Sequence, residues 1–440
     1  MSIAEPSAAS RHHPLLHPMQ SRPGSFRPQY DAVVVGGGPA GSAAAALLAR
    51  RGRRVLLAER QRFPRFHIGE SLIPETNRYL DALGVYPRIE AEGFLVKRGA
   101  VIMAPDGVNE RYAAFAEAQG IERRFTFEVP RARFDEILLE HAAASGAEVR
   151  EECRARAVEL REDGVDLRLE DGTGEHTVAA RFLVDASGRD GFLAKRLGLR
   201  EVDSDLRQVG LHAWYEGVAP LPPERFGDTR LISIDGGGWA WLIPIDERVT
   251  SVGVVVPRER HAGLPTGDPE RCLEILLAAV PALPPLLARA RRVSAVRVDA
   301  DYSYATRAYA GERWLLAGDA GSFLDPIFST GVLLALASGV EAAEAIDRAL
   351  AAPDEAPAAR RELAAFDQEQ RRRYRFFRRF VVGYYRPELR DLLLSTFNRL
   401  GLPGAVMTAL AGNTRPSFLH RLRIAVFFAV VRLQRFVAVV

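Results

Sequence analysis

Lysine is almost missing from this chain of 440 residues. All but two of its 59 basic residues are arginine, and the two exceptions are Lys97 and Lys195. An arginine side chain stays protonated in a protein, whereas a lysine amine can lose its proton and react. A function that needs a deprotonatable amine therefore has only two candidate positions.

Cysteine, net charge and long apolar runs are scarce as well. The two cysteines, Cys153 and Cys272, lie far apart, which excludes a disulfide framework, fits no metal-binding spacing and indicates a reducing, cytoplasmic compartment. A net charge of +3 argues against a nucleic-acid partner. The apolar stretch at 424–431 is too short to cross a bilayer. Residues 1–28, rich in Arg, His, Pro and Ser, predict a disordered tail rather than a secretory signal.

The first ordered segment carries a dinucleotide-binding pattern. An apolar run predicts a buried strand, and Gly36, Gly38 and Gly41 then form G-x-G-x-x-G at the start of a predicted helix. Glu59 follows the next apolar run. Glycines allow a close approach to a pyrophosphate at the positive end of the helix, and the acid accepts hydrogen bonds from a ribose. The pattern predicts a Rossmann unit without distinguishing a nicotinamide from a flavin.

Two later segments repeat the arrangement of a buried strand followed by a turn. They are residues 180–191, which contain Asp185, and residues 311–332, which contain Gly318 and Asp319. Ligands of doubly wound sheets bind where strands end in such turns. We therefore expect both segments to lie beside the glycine-rich turn.

Together these segments resemble the FAD-dependent monooxygenase superfamily, whose fold is that of p-hydroxybenzoate hydroxylase. The resemblance implies an FAD cofactor, with Asp319 of the Gly318-Asp319 pair on its ribityl chain and Arg131, in VPRARFD, in contact with it.

The resemblance implies an α/β fold with a Rossmann-type FAD-binding domain, an interleaved β-sheet domain on the substrate side and a helical C-terminal region. The predicted boundaries are residues 1–28 for the tail; 29–95, 126–203 and 297–350 for the FAD-binding domain; 96–125 and 204–296 for the substrate-side sheet; and 351–440 for the helical region.

Residues 238–244 read GWAWLIP, which places Trp239 and Trp241 on the same side of a predicted strand. Taken alone, the two indoles are typical of a packed core pair. The pattern W-x-W-x-I-P, the pattern F-x-x-P-x-x-S-x-G at 323–331 and the segment FPRFHIGESLIP at 63–74 are together similar to the flavin-dependent halogenases.

In the halogenases of pyrroles and phenols, a catalytic lysine follows the G-E-S segment and precedes Gly-Ala. The matching residue here is Lys97, in GFLVKRGA, for which the alternative is an ordinary solvated lysine. Lys195 has no such context and is predicted to lie on the surface.

The family resemblance implies a reaction as well as a cofactor. Reduced FAD and O2 oxidise chloride or bromide, which backbone N–H groups near Thr330 and Gly331 hold beside Ser329 of the same motif. Hypohalous acid then passes to Lys97. The Trp239–Trp241 pair forms a wall between flavin and substrate, so that the substrate is not hydroxylated directly.

Phe328 stands where tryptophan halogenases carry a glutamate, which argues against free tryptophan as substrate. The resemblance instead implies an electron-rich phenol or pyrrole, free or tethered to an acyl or peptidyl carrier protein. No NAD(P)H site is evident, so a separate flavin reductase is expected to supply reduced FAD. One alternative is a flavin monooxygenase without halide use. The other is a geranylgeranyl-reductase-like flavoprotein acting on isoprenoid lipids, and the tryptophan motif and Lys97 argue against this second alternative.

Residues 421–436 combine arginines with an apolar run. They are compatible with a helix on a membrane surface, a helix that covers the substrate pocket, or a docking patch for an acidic carrier protein. Residues 371–380 (RRRYRFFRRF) leave the same choice open, with a packed helix as the default.

Overall fold

The fold is that of a computed structural model, in which residues 25–300, 302–394 and 401–434 are described. Most of the predicted disordered tail therefore lies outside the described residues. The strands within the described ranges are β1 (Gln29–Val35), β2 (Val55–Ala58), β3 (Leu95–Lys97), β4 (Gly99–Met103), β5 (Glu110–Ala114), β6 (Thr126–Glu128), β7 (Glu148–Arg150), β8 (Arg154–Leu160), β9 (Val165–Asp171), β10 (Gly174–Asp185), β11 (Arg200–Val202), β12 (Gln208–Glu216), β13 (Thr229–Ile234), β14 (Gly238–Pro244), β15 (Val249–Pro257), β16 (Arg291–Arg292), β17 (Arg297–Ala300), β18 (Tyr304–Thr306), β19 (Ala310–Gly311) and β20 (Trp314–Leu316).

The α-helices of the same ranges are α1 (Pro39–Arg50), α2 (Thr76–Leu83), α3 (Tyr86–Ala91), α4 (Arg131–Ala144), α5 (Phe192–Arg196), α6 (Arg258–Ala262), α7 (Pro269–Ala278), α8 (Leu283–Leu287), α9 (Gly331–Ala351), α10 (Glu355–Tyr384), α11 (Pro387–Leu394), α12 (Leu402–Leu410) and α13 (Phe418–Leu433).

The first sheet has β1 at its centre, between β10 and β2, and all three strands run parallel. The strand β20 extends this parallel sheet beyond β10, and β7 extends it beyond β2. The register pairs Val35 with Asp185 and Asp185 with Leu316, so the carboxyl ends of three strands are level. The turns that follow these strands are thereby brought to one edge, as the sequence predicted.

Helices cover the first sheet because its strands are apolar on both faces. The helix α1 packs against both α4 and α9, and α10 packs on the outside of α9. Their small side chains, above all the alanine run of α1, are buried in a shared core with β1 and β2. This packing fixes the amino ends of α1 and α9 near the level edge of the sheet.

The second sheet has the order β16-β12-β15-β14-β13-β4-β5, with antiparallel pairs except for β13 beside β4. Residues alternate between its two faces along β14. Ala240 and Leu242 pack under α7 and α8, whereas Trp239, Trp241 and Ile243 belong to a cluster with the C-terminal helices.

One predicted boundary is wrong at its edge. The FAD-binding domain was expected to resume at residue 297, but β17 pairs with β12 and belongs to the second sheet. Residues 297–300 read RVDA, whose alternation is typical of a strand but does not specify a partner, and the pairing with His212 is non-local. The crossing back to the first sheet comes after β17.

The C-terminal region is helical, and its longest element is α10 with 30 residues. The arginine-rich segment 371–380 lies inside α10 and is packed rather than free, because Arg373 pairs with Glu341 of α9 and Arg378 with Asp203. No helix of the described ranges is both long and apolar enough to cross a membrane.

Candidate active site

A cavity of about 1260 Å³ lies between the level edge of the first sheet and one face of the second. It extends from Cys153 and Arg154, past the turn after β1, to Trp239 and Trp241. This volume exceeds that of ordinary small-ligand pockets, which fits a dinucleotide with space left over. Most of the residues predicted from the sequence line this one cavity.

The turn between β1 and α1 has the geometry that its glycines predicted. Gly36 has φ +105°, and a Cβ there would lie 2.3 Å from the carbonyl oxygen of Ala186, so only glycine fits. Glu59, at the end of β2, accepts a hydrogen bond from the backbone N–H of Gly37 at 2.7 Å. The acid therefore fixes the turn as well as lining the cavity.

Gly38 tests whether the turn suits a pyrophosphate. A Cβ at Gly38 would meet only one side-chain atom within 4 Å, Nη2 of Arg65 at 3.6 Å, because the position opens into the cavity. Packing within the protein therefore does not require glycine at this position. Glycine is required there if a bound group approaches the backbone closely, as a pyrophosphate does at the start of a Rossmann helix.

The late Gly-Asp pair follows β20 and faces the same cavity. Burial raises the pKa of Asp319 to about 6, while Arg189 and Arg131 lower it. A carboxyl group in this position can bind sugar hydroxyl groups in either protonation state. Tyr304 holds the turn by donating to the carbonyl oxygen of Asp319 at 2.6 Å.

Arg131 lines the cavity at the first turn of α4 but already has partners. Its guanidinium donates to Asp135 at 2.8 and 3.0 Å and to the carbonyl oxygen of Ile68 at 2.8 Å. It therefore also anchors the segment that contains the G-E-S residues.

The two tryptophans of β14 form one end of the cavity. Their ring centroids are 5.3 Å apart, and both side chains are buried. The indole of Trp241 lies over Gly253 of β15, where a Cβ would come within 2.2 Å of the ring. Each indole N–H is satisfied, that of Trp239 by Tyr385 and that of Trp241 by Ser251. The pair thus lines the cavity and packs against the C-terminal helices at once.

Lys97 is buried at the end of β3, with 3% of its side chain exposed. Its Nζ donates to Ser71 Oγ at 2.5 Å and to the carbonyl oxygen of Leu72 at 3.1 Å. This burial excludes the solvated-lysine alternative. Ser71 lines the cavity, and Lys97 lies behind it.

A buried carboxylate shares the site of Lys97. Glu128 of β6 lies opposite the G-E-S serine, and its Oε1 is 3.7 Å from Nζ of Lys97. Burial raises the pKa of Glu128 to about 7, against the pull of Lys97 and of the hydrogen bonds from Thr229 and Ser71. Burial also lowers the pKa of Lys97, and the Glu128 charge opposes that shift. We call Lys97, Glu128, Ser71 and Thr229 the lysine cluster.

The F-x-x-P-x-x-S-x-G segment at 323–331 reaches the same cluster from the amino end of α9. Ser329 Oγ donates to Ser71 Oγ at 3.1 Å, and Ser329 has φ +54°, in the left-handed region that non-glycine residues seldom occupy. Thr330 is the N-cap residue of α9 and Gly331 its first residue, and both line the cavity. The first N–H groups of an α-helix have no partner within the helix, so this end of α9 offers donors to an anion.

Several polar residues of the site were not predicted from the sequence. Glu128, Ser71 and Thr229 surround Lys97, while Asp325 and Tyr385 hold Trp239. The available signal was an acid inside the apolar run TFEV, since an acid is rarely buried without a partner.

Comparison with known proteins supports a specific assignment. A family model described as FAD binding domain matches residues 29–379. The chain is 34% identical over 334 residues to the 1H-pyrrole-2-carbonyl-[peptidyl-carrier protein] chlorinase of Pseudomonas fluorescens, covering 70% of this chain and 74% of that protein. It is 33% identical over 325 residues to the corresponding brominase of Pseudoalteromonas luteoviolacea, covering 73% and 78%.

A solved structure of a triple mutant of the flavin-dependent brominase Bmp2 has a TM-score of 0.81 and 27% identity, covering 92% of this chain and 100% of that one. The family model, the level of identity and the shared fold all agree with the motifs that line the cavity. The chain therefore belongs to the FAD-binding flavoproteins and, among them, to the flavin-dependent halogenases.

Proposed function

We propose that this protein transfers chlorine or bromine to an electron-rich aromatic ring, a phenol or a pyrrole, through Lys97. The observation that carries the proposal is the contact of Lys97 with Ser71. This contact places a buried amine 2.5 Å from a hydroxyl group that lines the cofactor cavity.

The cavity residues fit FAD. The turn at Gly36 to Gly38 would hold its pyrophosphate, Glu59 its adenosine ribose and Asp319 its ribityl chain. When bound and reduced, this cofactor supplies with O2 the oxidation of a halide ion to hypohalous acid. The halide would bind at the amino end of α9, where the N–H groups of Thr330 and Gly331 and the helix dipole favour an anion.

Lys97 then receives hypohalous acid beside Ser71. A lowered pKa favours the neutral amine, whose lone pair attacks the halogen. The N–X bond forms as the O–X bond breaks, and the departing hydroxide takes one amine proton to leave as water. The aromatic carbon next takes the halogen from Nζ, the electrons of the N–X bond stay on Nζ, and the proton that the ring loses returns there to restore the amine. Alternatively, Nζ holds hypohalous acid by a hydrogen bond and orients it toward the ring.

Trp239 and Trp241 are proposed to exclude the substrate from the cofactor end of the cavity. Two packed indoles, each fixed by a hydrogen bond, form a rigid apolar boundary at that end of the cavity. The relatives named above act, by their names, on a pyrrole tethered to a peptidyl carrier protein, which supports a tethered or free aromatic as the substrate class. A separate reductase is proposed to supply the reduced cofactor.

The test is product analysis with the full chain, O2, bromide and FAD reduced by an independent reductase. Free phenols, free pyrrole-2-carboxylate and the same acid as a carrier-protein thioester are compared by mass spectrometry. We expect brominated product from at least one class, and none when bromide is left out or when NADH replaces the reductase. Hydroxylated product with bromide present would instead identify a monooxygenase.

A further inference from the structure

The helix α13 has an inner face that is packed and an outer face that is not. Ile424, Phe427 and Val431 are buried against the C-terminal cluster. On the opposite side Phe418 is 75% exposed, Leu422 51% and Leu433 58%. The packed inner face fixes the helix on the protein, so the outer face is presented on a rigid support.

The exposed residues form one stripe along the whole helix. Phe418, Leu422, Ala425, Ala429 and Leu433 follow one another at intervals of three or four residues, and each is exposed. Leu419 widens the stripe at its start. The ten large hydrophobic residues described as exposed are spread over the chain, yet four of them lie in α13. Such a concentration marks an interaction surface.

The charged residues of the C-terminal segment itself are all of one sign. Residues 416–440 contain four arginines and neither aspartate nor glutamate. Arg421 and Arg432 of α13 are exposed and make no ion pair with any carboxylate in the described ranges. The neighbouring Arg379 of α10 lies over the ring of Phe428, and its pKa is lowered by burial and by the charge of Arg432. Cations that crowd one another in this way attract an anionic surface.

We propose that the outer face of α13 docks this protein on an anionic lipid membrane. The apolar stripe of a 16-residue helix is about 24 Å long, at 1.5 Å per residue. A long stripe with arginines at its margins fits a helix that lies in the plane of a membrane interface, with its apolar side chains among the lipids and its guanidinium groups at anionic headgroups. This proposal does not rest on the halogenation chemistry.

The experiment is co-sedimentation of the full FAD-loaded protein with vesicles of phosphatidylglycerol or of phosphatidylcholine. We expect at least tenfold stronger partition onto phosphatidylglycerol, and most of it lost in 0.5 M NaCl. The triple variant Phe418→Ser/Leu422→Ser/Leu433→Ser and the double variant Arg421→Gln/Arg432→Gln should each lower that partition at least tenfold.

The matched control is Val108→Ser/Leu160→Ser, which removes two exposed hydrophobic residues elsewhere and should leave partition unchanged. FAD fluorescence and thermal unfolding verify that every variant is folded. Equal binding to both lipids, or wild-type partition by the triple variant, would overturn the proposal. A lack of vesicle binding would also overturn it. In that case a dimer, or a complex with an acidic carrier protein, that the triple variant abolishes would identify what binds this face instead.

Discussion

The indole Nε1 of Trp239 donates a hydrogen bond to the hydroxyl of Tyr385, 3.0 Å away, and that hydroxyl donates in turn to Asp325 at 2.5 Å. Tyr385 follows the last residue of α10, so the tryptophan pair is joined to the C-terminal helices by a directed contact. The position of the tryptophan pair therefore depends on how those helices pack.

Replacing Trp239 and Trp241 with phenylalanine should weaken the wall without removing it. We expect less halogenated product per FAD oxidised, with more hydrogen peroxide or hydroxylated product, and a loss of about 1–3 kcal/mol in the free energy of unfolding. Trp314→Phe, in the core of the first sheet, is the control and should change stability alone. Normal product ratios in a folded double variant would show that the indoles are only a core pair.

Tyr385→Phe should destabilise the protein in a pH-dependent way. Burial raises the pKa of Asp325 to about 6, and the hydrogen bond from Tyr385 lowers it. Between about pH 4 and 6 the folded protein therefore binds more protons than the unfolded chain does. Its free energy of unfolding falls as pH rises through that window. Without the Tyr385 donor the window extends upward. We expect the variant to melt only slightly below wild type at pH 5 and clearly below it at pH 7.5, whereas Tyr384→Phe should show no such difference between the two pH values.

Lys97→Arg should abolish halogenation, while Lys195→Arg should leave it intact. Lys97 is buried, so the larger guanidinium must fit beside Ser71 and Leu72, which should cost about 1–3 kcal/mol in the free energy of unfolding. FAD titration and oxygen uptake should stay near normal in both variants. Product formation by folded Lys97→Arg would mean that a fixed cation is sufficient.

Glu128→Gln should shift the pH dependence of halogenation. The Glu128 charge raises the pKa of Lys97, so its removal lowers that pKa further and keeps the amine neutral at lower pH. We expect the acid limb of the rate profile to move to lower pH. Thr229→Val keeps the carboxylate and removes one hydrogen bond to it, so it should move the limb less. An unchanged pH profile in Glu128→Gln would show that the Glu128 charge does not control the pKa of Lys97.

Gly38→Val should lower FAD affinity at least tenfold, about 1.4 kcal/mol, yet leave the protein without FAD folded. The added atoms enter the cavity, where the protein offers only Arg65 as a contact. Gly41→Ala is the contrasting change, because its Cβ would lie 1.9 Å from the carbonyl oxygen of Gly36 and should destabilise the fold itself. The two are separated by flavin titration and by thermal unfolding without FAD.

The parts of the site that follow from local pattern could be predicted from the sequence. Gly36 and Glu59 were identified because strand, turn, helix and acid follow one another at a fixed spacing. Lys97 was identified through the family motif, but its burial was not, because it depends on Glu128 from a strand about 30 residues away. The assignment of β17 failed for the same reason, since pairing across a sheet is set by distant residues.

The hydroxyl of Ser71 lies within hydrogen-bond distance of four groups, on Lys97, Glu128, Thr229 and Ser329. A hydroxyl group has one hydrogen to give and two lone pairs, which makes three bonds at most. One of the four neighbours is thus always left out, and which one depends on where the protons of the others are. When Lys97 loses its proton, Ser71 can turn its hydrogen from Glu128 to the lone pair of Nζ, while its oxygen still accepts from Ser329. Lys97 and Glu128 therefore compete for the one hydrogen of Ser71, so a change in the charge state of either alters the hydroxyl group that Ser329 contacts, without any movement of the backbone.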